Sequence, residues 1–419
     1  MYDIVDRVVL SGMKVAHTNS YHTEDLVDYV ILPKTHNSIY LMHKYWARKP
    51  ANIVSNYIRR YTSPHDVVLD PFMGSGVTIL EAILSERKAI GVDINPVAKF
   101  ICENTGLDVD INILEADFQY IQQKMLQPNS IYRNLQFIDC PGCSAQAELS
   151  HLIWNSKSKV NHEKDVLRTT HNGYLDEFRL KCPECGVSIF NQEENFRLFN
   201  SLAPIILEQE NHALELLETR SFTLPSFSFQ YSQNEHFLQL RHQLRENPSL
   251  SEIFTQRNLA LLTYIYHLIQ ELPSHYKEVQ SSLLYAFTSA LGQASKMVWV
   301  ISKRRGKKLK KRQVGSWTHH FFWDPYLYFD INAWSCFKHR IKKLKRGKRL
   351  LKSRLANHSY SFTMAENFSG LSTISPVLLL SQSCTQLDLP DNSIDFIFTD
   401  PPYGDSIQYG ELCSLWAAW

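Results

Sequence analysis

Three groups of residues in this 419-residue chain have the types and spacing of working chemistry. Cys140-Pro141-Gly142-Cys143 and Cys182-Pro183-Glu184-Cys185 are two Cys-x-x-Cys turns, each aiming two thiolates at one point. Together they form a closed four-cysteine set, which suits a structural zinc ion because no coordination position is left for water. Asp70-Pro71-Phe72-Met73-Gly74-Ser75-Gly76 puts an acid ahead of a Gly-x-Gly turn, and a second acid, Asp93, follows 23 residues after Asp70. Such a turn lets main-chain N–H groups approach a ligand, and an acid at that distance is placed to bind ribose hydroxyls. The missing third glycine argues against a dinucleotide. In Thr399-Asp400-Pro401-Pro402-Tyr403-Gly404 the two prolines stiffen a loop that carries a carboxylate and a carbonyl acceptor, and Tyr403 offers a stacking face.

The elements that must hold these groups alternate strand and helix. A helix over Ala51–Tyr61, a buried strand Val67–Asp70, a helix from Val77 to about Glu86 and a strand Ala89–Asp93 make a βαβ unit, which predicts a parallel sheet with a right-handed crossover. Pro96 opens a further helix running to about Asn104. After a long interval the pattern resumes with strands Val377–Leu380 and Ile394–Thr399, the second ending at Asp400. The chain therefore divides into residues 1–106, an insert over 107–375, and 376–419. Within the insert the cysteine pairs mark a zinc ribbon at about 136–192, a helical part covers 193–300 with Leu283–Met297 as one helix, and a basic part covers 301–360.

The formal charge of +2 conceals a strong asymmetry. Between Lys303 and Arg354 there are 18 Lys and Arg against Asp324 and Asp330, a local +16 set against −14 for the remainder. Trp317, Phe321, Phe322, Trp323, Tyr326, Tyr328 and Trp334 lie among these bases, and the mixture suits a phosphate backbone with aromatic rings stacking on displaced bases. His151, His162 and His171, between the cysteine pairs, read as surface residues, and Cys102, Cys336, Cys384 and Cys413 as ordinary thiols. The acidic start of the chain lacks a signal-peptide pattern and no 18-residue apolar run occurs, so a cytoplasmic protein with no membrane partner is expected.

Taken in order, these segments resemble S-adenosylmethionine-dependent DNA amino-methyltransferases of the Asp-Pro-Pro-Tyr type, and in particular the adenine-specific DNA methylases that contain a zinc ribbon. The likeness rests on Lys44-Tyr45-Trp46-Ala47-Arg48-Lys49-Pro50 in the place of motif X, the Asp70–Gly76 block as motif I, the cysteine knuckles, Ile253-Phe254-Thr255-Gln256-Arg257-Asn258-Leu259, and the Asp400–Tyr403 block as motif IV. It implies an α/β Rossmann-like sheet ordered 3-2-1-4-5-7-6, of which strands one to four are present, interrupted by the insert. It also implies that Tyr45, Trp46, Pro50, Asp70, Pro71, Phe72, Gly74 and Gly76 surround the methionine end of S-adenosylmethionine, that Asp93 holds the ribose, and that Asp400, Pro401, Pro402 and Tyr403 receive the target amine of a base flipped out of DNA. Zinc would be structural at Cys140, Cys143, Cys182 and Cys185. Cytosine-N4 methylation, guanine-N2 methylation of tRNA and a non-catalytic DNA-binding subunit or gene remnant stay open beside adenine-N6 methylation. Because the chain stops soon after motif IV, two further expectations stand side by side: a truncated or split N-terminal part of such an enzyme, or a second polypeptide that completes the sheet along an open, apolar strand four.

Overall fold

The computed structural model describes residues 27, 29–156, 169–170, 172–191, 196–225, 249–273, 276–304, 307–356 and 358–419. β1 (Val67–Asp70), buried at every position, lies inside a four-stranded parallel sheet with β2 (Lys88–Asp93), β11 (Val377–Ser381) and β12 (Phe396–Ile397) in the order β11-β2-β1-β12. In chain order this is 3-2-1-4. Strands packed on both faces need continuous apolar runs rather than alternation, which Val67–Leu69, Ala89–Val92 and Val377–Leu379 supply. β12 is shorter than the expected Ile394–Thr399. At its start the Val67 N–H donates to the Asp395 carboxylate (2.7 Å) while the Asp395 N–H donates to the Val67 carbonyl (3.0 Å), so a side chain supplements the main-chain rung. Tyr61 stacks on Phe396 (5.8 Å) and Tyr57 meets Phe398 edge-on (6.1 Å), covering one face of this edge strand, while Ile397 is exposed.

α1 (Ala51–Tyr61) and α2 (Val77–Ile83) pack together over the sheet. α2 stops before the expected Glu86 because Glu86 adopts φ 62° and the Arg87 N–H reaches back to the Ala82 carbonyl (2.9 Å), a left-handed helix stop. α3 (Pro96–Gly106) starts as expected, with Pro96 in its first turn and Asn95 accepting from the Val97 N–H (3.0 Å), and runs slightly further than Asn104.

The intervening residues supply α4 (Ile111–Leu126), α5 (Ile131–Gln136), α6 (Phe196–Asn211), α7 (Gln256–Gln270), α8 (Lys277–Ala294) and α9 (Ala333–Leu355). Apart from α6, their apolar faces share one core with α1 to α3 that extends from Ile39 to Trp416. An antiparallel sheet of β10 (Leu327–Ile331), β4 (Gln146–Asn155), β6 (Gly173–Cys182) and β5 (Thr169–Thr170) adds β3 (Phe137–Asp139) beside β4 and β7 (Gly186–Asn191) beside β6. It encloses a second core with α6, including Trp154, Phe178 and Phe199. β8 (Val300–Arg304) and β9 (Lys307–Val314) form a separate two-stranded ribbon. Among the described residues no helix is long and apolar enough to cross a membrane.

A buried polar knot joins the two cores. The Asp330 carboxylate accepts from Thr255 Oγ1 (3.0 Å), Asn258 Nδ2 (2.6 Å) and Trp154 Nε1 (3.3 Å), while Asn258 also donates to the Ala294 and Ile331 carbonyls. Arg257, 1% exposed, faces Glu210 at 3.6 Å and donates to the Leu135 and Ile206 carbonyls. Desolvation, with Glu210 close by, pushes the Asp330 carboxyl up to about 7. The phrase Thr255–Asn258 therefore has a structural job: Thr255 caps α7, and the next residues fasten it to the β4–β10 sheet.

The basic stretch is not one surface. α9 buries Arg340 and Lys348, and the Lys348 ammonium donates to the carbonyls of Asn104 (2.7 Å), Thr105 (3.4 Å) and Leu107 at the end of α3, where the helix dipole is negative. Burial pulls its pKa down to about 7. Lys345 pairs with Glu115 and Arg354 with Glu81 (3.7 Å). Trp317, Phe322, Tyr328 and Trp334 are buried in the cores, so the expectation that these rings stack on displaced bases is corrected: the large flat faces were needed for packing. His151 is half-buried rather than freely exposed; its ring meets Phe329 edge-on at 5.2 Å and desolvation lowers its pKa to about 4. His162 and His171 lie outside the described residues.

Candidate functional site

The carboxyl ends of β1, β2, β11 and β12 all open on one cavity of about 640 Å³. Open parallel sheets bind ligands there because the loops splay apart on either side of the first strand. Tyr45, Trp46, Asp70, Pro71, Phe72, Gly74, Asp93, Asp400 and Pro402 line it. Pro50, Gly76, Pro401 and Tyr403 do not. Pro50 precedes α1, Gly76 precedes α2 with φ 78°, and Pro401 and Tyr403 lie exposed on the rim loop.

Each acid in the cavity is already partly committed. Asp70 accepts from the Phe72 N–H (3.0 Å) and from Thr78, and desolvation, only partly countered by these bonds, raises its pKa to about 6. Asp93 accepts from the Gly74 N–H (3.0 Å) through one oxygen and from the Asn95 N–H (2.9 Å) through the other, so it holds the glycine turn in shape; desolvation raises its pKa. Gly74 (φ 48°) needs its missing side chain, since a Cβ there would sit 2.9 Å from the Tyr45 ring. The turn is thus a cradle kept open by glycine and roofed by an aromatic ring. Ile94 adds an apolar side chain to the wall that is left 76% exposed.

The segment ahead of α1 is locked onto this turn. Arg48 Nε donates to Ser75 Oγ (3.0 Å), and its other nitrogens donate to the Tyr40 and His43 carbonyls, which orders a loop that passes through φ 49° at Ala47. Tyr45 stacks on Tyr409 (5.8 Å) and Trp46 lies against Trp416 (5.1 Å), both in α10 (Tyr409–Ala417). The helix following Asp400–Tyr403 therefore braces the segment expected to close over a cofactor.

On the rim, Lys49 Nζ lies 3.0 Å from Asp400 Oδ1 and 2.5 Å from the Tyr403 hydroxyl, which itself donates to Asp400 Oδ1 at 2.8 Å. These contacts hold the Lys49 pKa up, the Tyr403 hydrogen bond contributing most. Sequence reasoning included Lys49 only as part of a motif, read Cys384 as an ordinary thiol, and passed over Ser383; the last two follow β11 and line the cavity. The position of the third strand's end was the signal that could have found them.

The four cysteines converge. Their sulfur atoms all lie within 4.8 Å of one another, with Cys140 and Cys185 3.4 Å apart and Cys143 and Cys182 3.3 Å apart. A tetrahedron with Zn–S bonds of about 2.3 Å needs sulfurs about 3.8 Å apart, so the set fits a zinc ion. The two knuckles are the turns between β3 and β4 and between β6 and β7, and the β4–β6 ladder brings them together across 38 intervening residues.

Residues 12–103 match a DNA methylase family of the N6/N4 methyltransferase type. Type II methyltransferase M.BsoBI of Geobacillus stearothermophilus is 26% identical over 123 residues, which are 28% of this chain and 24% of that protein. Type II methyltransferase M.MjaII of Methanocaldococcus jannaschii is 31% identical over 74 residues, 18% of this chain and 14% of that protein. The DNA adenine methyltransferase YhdJ of Escherichia coli K12 is 44% identical over 59 residues, 13% of this chain and 20% of that protein. The matched segments thus span a quarter or less of these relatives. No solved structure matches. The matches support the resemblance to S-adenosylmethionine-dependent DNA amino-methyltransferases drawn from the motifs.

Proposed function

We propose that this chain, a relative of the S-adenosylmethionine-dependent DNA amino-methyltransferases, binds S-adenosylmethionine in the cavity at the carboxyl ends of its parallel strands and directs methylation of the exocyclic N6 of adenine in DNA. One observation carries the reading: β1 and β12 are neighbours, so the Asp70–Gly76 turn and Asp400 open on the same 640 Å³ space. When bound, S-adenosylmethionine supplies an electrophilic methyl on its sulfonium. Asp70 faces the methionine end, and Asp93 the ribose. Gly74 and Gly76 allow the main chain to approach, Tyr45 and Trp46 close the cavity, and Pro50 and Pro71 stiffen the flanking turns. Phe72, Ile94 and Phe398 provide apolar wall for the rest of the cofactor. An amine conjugated to a ring is a weak nucleophile, so the Asp400 carboxylate and the Pro401 carbonyl accept its N–H bonds and keep electron density on nitrogen. Pro402 stiffens their loop, and the Tyr403 ring, half exposed on the rim and held by Lys49, stacks on the flipped base.

The chain's organisation follows: 1–106 and 376–419 build the cofactor and amine sites, and 107–375 meets DNA. Zinc at Cys140, Cys143, Cys182 and Cys185 fastens the ribbon and takes no part in transfer. The exposed side of β12 is where a further strand, from a second polypeptide, would pair. The similarity to an adenine methyltransferase and Asp rather than Ser at position 400 favour adenine over cytosine.

Transfer of tritium from labelled S-adenosylmethionine to DNA, followed by nucleoside analysis, tests this. Label in N6-methyldeoxyadenosine that disappears in Asp400→Ala supports it, and N4-methyldeoxycytidine would move the target to cytosine. No transfer by a chain that binds the cofactor in calorimetry would leave a DNA-binding subunit. Purified protein should hold about one zinc per chain.

A further inference from the structure

We infer that the β8–β9 ribbon, rather than the basic helix α9, is the element that enters the major groove of the DNA. This rests on the reading of DNA as substrate. Eight of the ten residues from Lys303 to Arg312 are Lys or Arg and none is acidic. The ladder sets Lys303 opposite Lys308 and Arg304 opposite Lys307. Like charges directly opposite across strands weaken a ribbon, so this pairing costs stability in the free protein and is relieved by a polyanion. Lys303, Lys307 and Lys311 are exposed. An antiparallel ribbon, with strands about 4.8 Å apart, matches a groove about 12 Å wide that admits either a helix or two strands.

The base of the ribbon is fixed and aimed. Arg312 pairs with Asp176 and Glu177 on β6. The Gly315 N–H donates to the Trp299 carbonyl (2.8 Å), and Trp317 is buried so close to Gly292 of α8 that a Cβ there would lie 2.5 Å away. The chain leaving β9 then reaches the cofactor cavity's own walls: the His319 carbonyl accepts from Trp46 Nε1 (2.8 Å), the His320 carbonyl from the Gln408 N–H (2.9 Å), and the Phe322 N–H donates to Glu411 (2.9 Å). The ribbon and the two loops that frame the cavity are thus one mechanical unit. By contrast α9 buries Arg340 and Lys348 and commits the partly exposed Lys345 and Arg354 to ion pairs with Glu115 and Glu81, and its outward Lys342, Arg346, Arg349 and Lys352 are the ordinary solvated face of a helix.

The test compares the full chain with a Lys303→Gln/Lys307→Gln/Lys311→Gln variant and a Lys342→Gln/Arg346→Gln/Arg349→Gln variant, by anisotropy on a labelled duplex across a salt series. The ribbon variant should lose about 0.9 in the log–log salt slope per phosphate contact, and with three contacts bind about a hundredfold more weakly at about 0.15 M salt. It should melt no lower than the parent, because repulsion has been removed. Duplex whose cytosines carry glucosylated hydroxymethyl groups, which fill the major groove, should bind poorly, and a minor-groove drug should not compete. The inference is overturned if the helix variant loses the affinity instead, if glucosylated duplex binds equally well, or if only the minor-groove drug competes. If the unaltered chain binds no DNA, the reading of DNA as substrate falls with it.

Discussion

Replacing Gly76 by alanine should damage the glycine turn after β1 in a way that can be divided into two causes. Gly76 adopts φ 78°, ψ 30°, a left-handed conformation that costs an L-residue about 1–2 kcal/mol. Its Cβ would also lie 2.2 Å from Cys102 Sγ and 2.8 Å from Cys102 Cβ. Cys102 is fully buried on α3 and has nowhere to go, so overpacking adds about 1–3 kcal/mol. Gly76→Ala should therefore lose about 2–5 kcal/mol in urea unfolding followed by tryptophan fluorescence, and bind S-adenosylmethionine more weakly in calorimetry. Cys102→Ala removes the nearer obstacle and leaves the φ strain. The double variant should then recover about 1 kcal/mol or more relative to the sum of the single changes. Strictly additive effects, or a Gly76→Ala protein as stable as the parent with unchanged cofactor affinity, would refute the account of the turn as a crowded left-handed hinge.

Asp70 has a folded-state pKa raised to about 6 from 3.8. Stability should be greatest below about pH 4, fall by about 3 kcal/mol as pH rises to 6, and stay level above that, a dependence Asp70→Asn should remove. If the cofactor's ammonium group favours the ionised form, affinity should drop about tenfold from pH 7 to 5, read by calorimetry. Lys49→Met should change stability by less than about 1 kcal/mol, since its side chain is 40% exposed, yet change the rate of methyl transfer by releasing Asp400 and Tyr403 from its ammonium; an unchanged rate would remove Lys49 from the working of the rim. Arg257→Met leaves the buried Glu210 without its counter-charge and should cost about 3–5 kcal/mol in the same unfolding assay, and adding Glu210→Leu should not restore it, because Glu210 also accepts from Asn172 Nδ2 and the Gln256 N–H, which would be left unpaired.

Residue order alone determined the strands of the parallel sheet, the glycine turn, the cysteine knuckles and the loop at Asp400. These depend on local properties: continuous apolar runs for buried strands, glycine where φ is positive or space is absent, proline where a loop must be stiff, and paired cysteines on tight turns. α1 and β1 fall at the expected residues, Ala51–Tyr61 and Val67–Asp70, for this reason. The stop at Glu86 was less legible, because a left-handed Glu leaves no mark in the sequence as glycine would.

Other features were decided only when distant segments met. Whether a base is a surface charge or a buried helix cap cannot be read from a Lys-rich run: Lys348 finds the carbonyl end of α3 more than 240 residues away. The aromatic residues among the bases have faces suited to stacking on nucleotides or on a core, and packing against α8 and the antiparallel sheet chose the core for Trp317 and Tyr328. Tertiary structure also put Lys49 and Asp400 3.0 Å apart across 351 positions. Chemistry that depends on a residue's type was thus visible in the sequence; chemistry that depends on desolvation and on a partner's position arose only when strands β1 and β12 became neighbours.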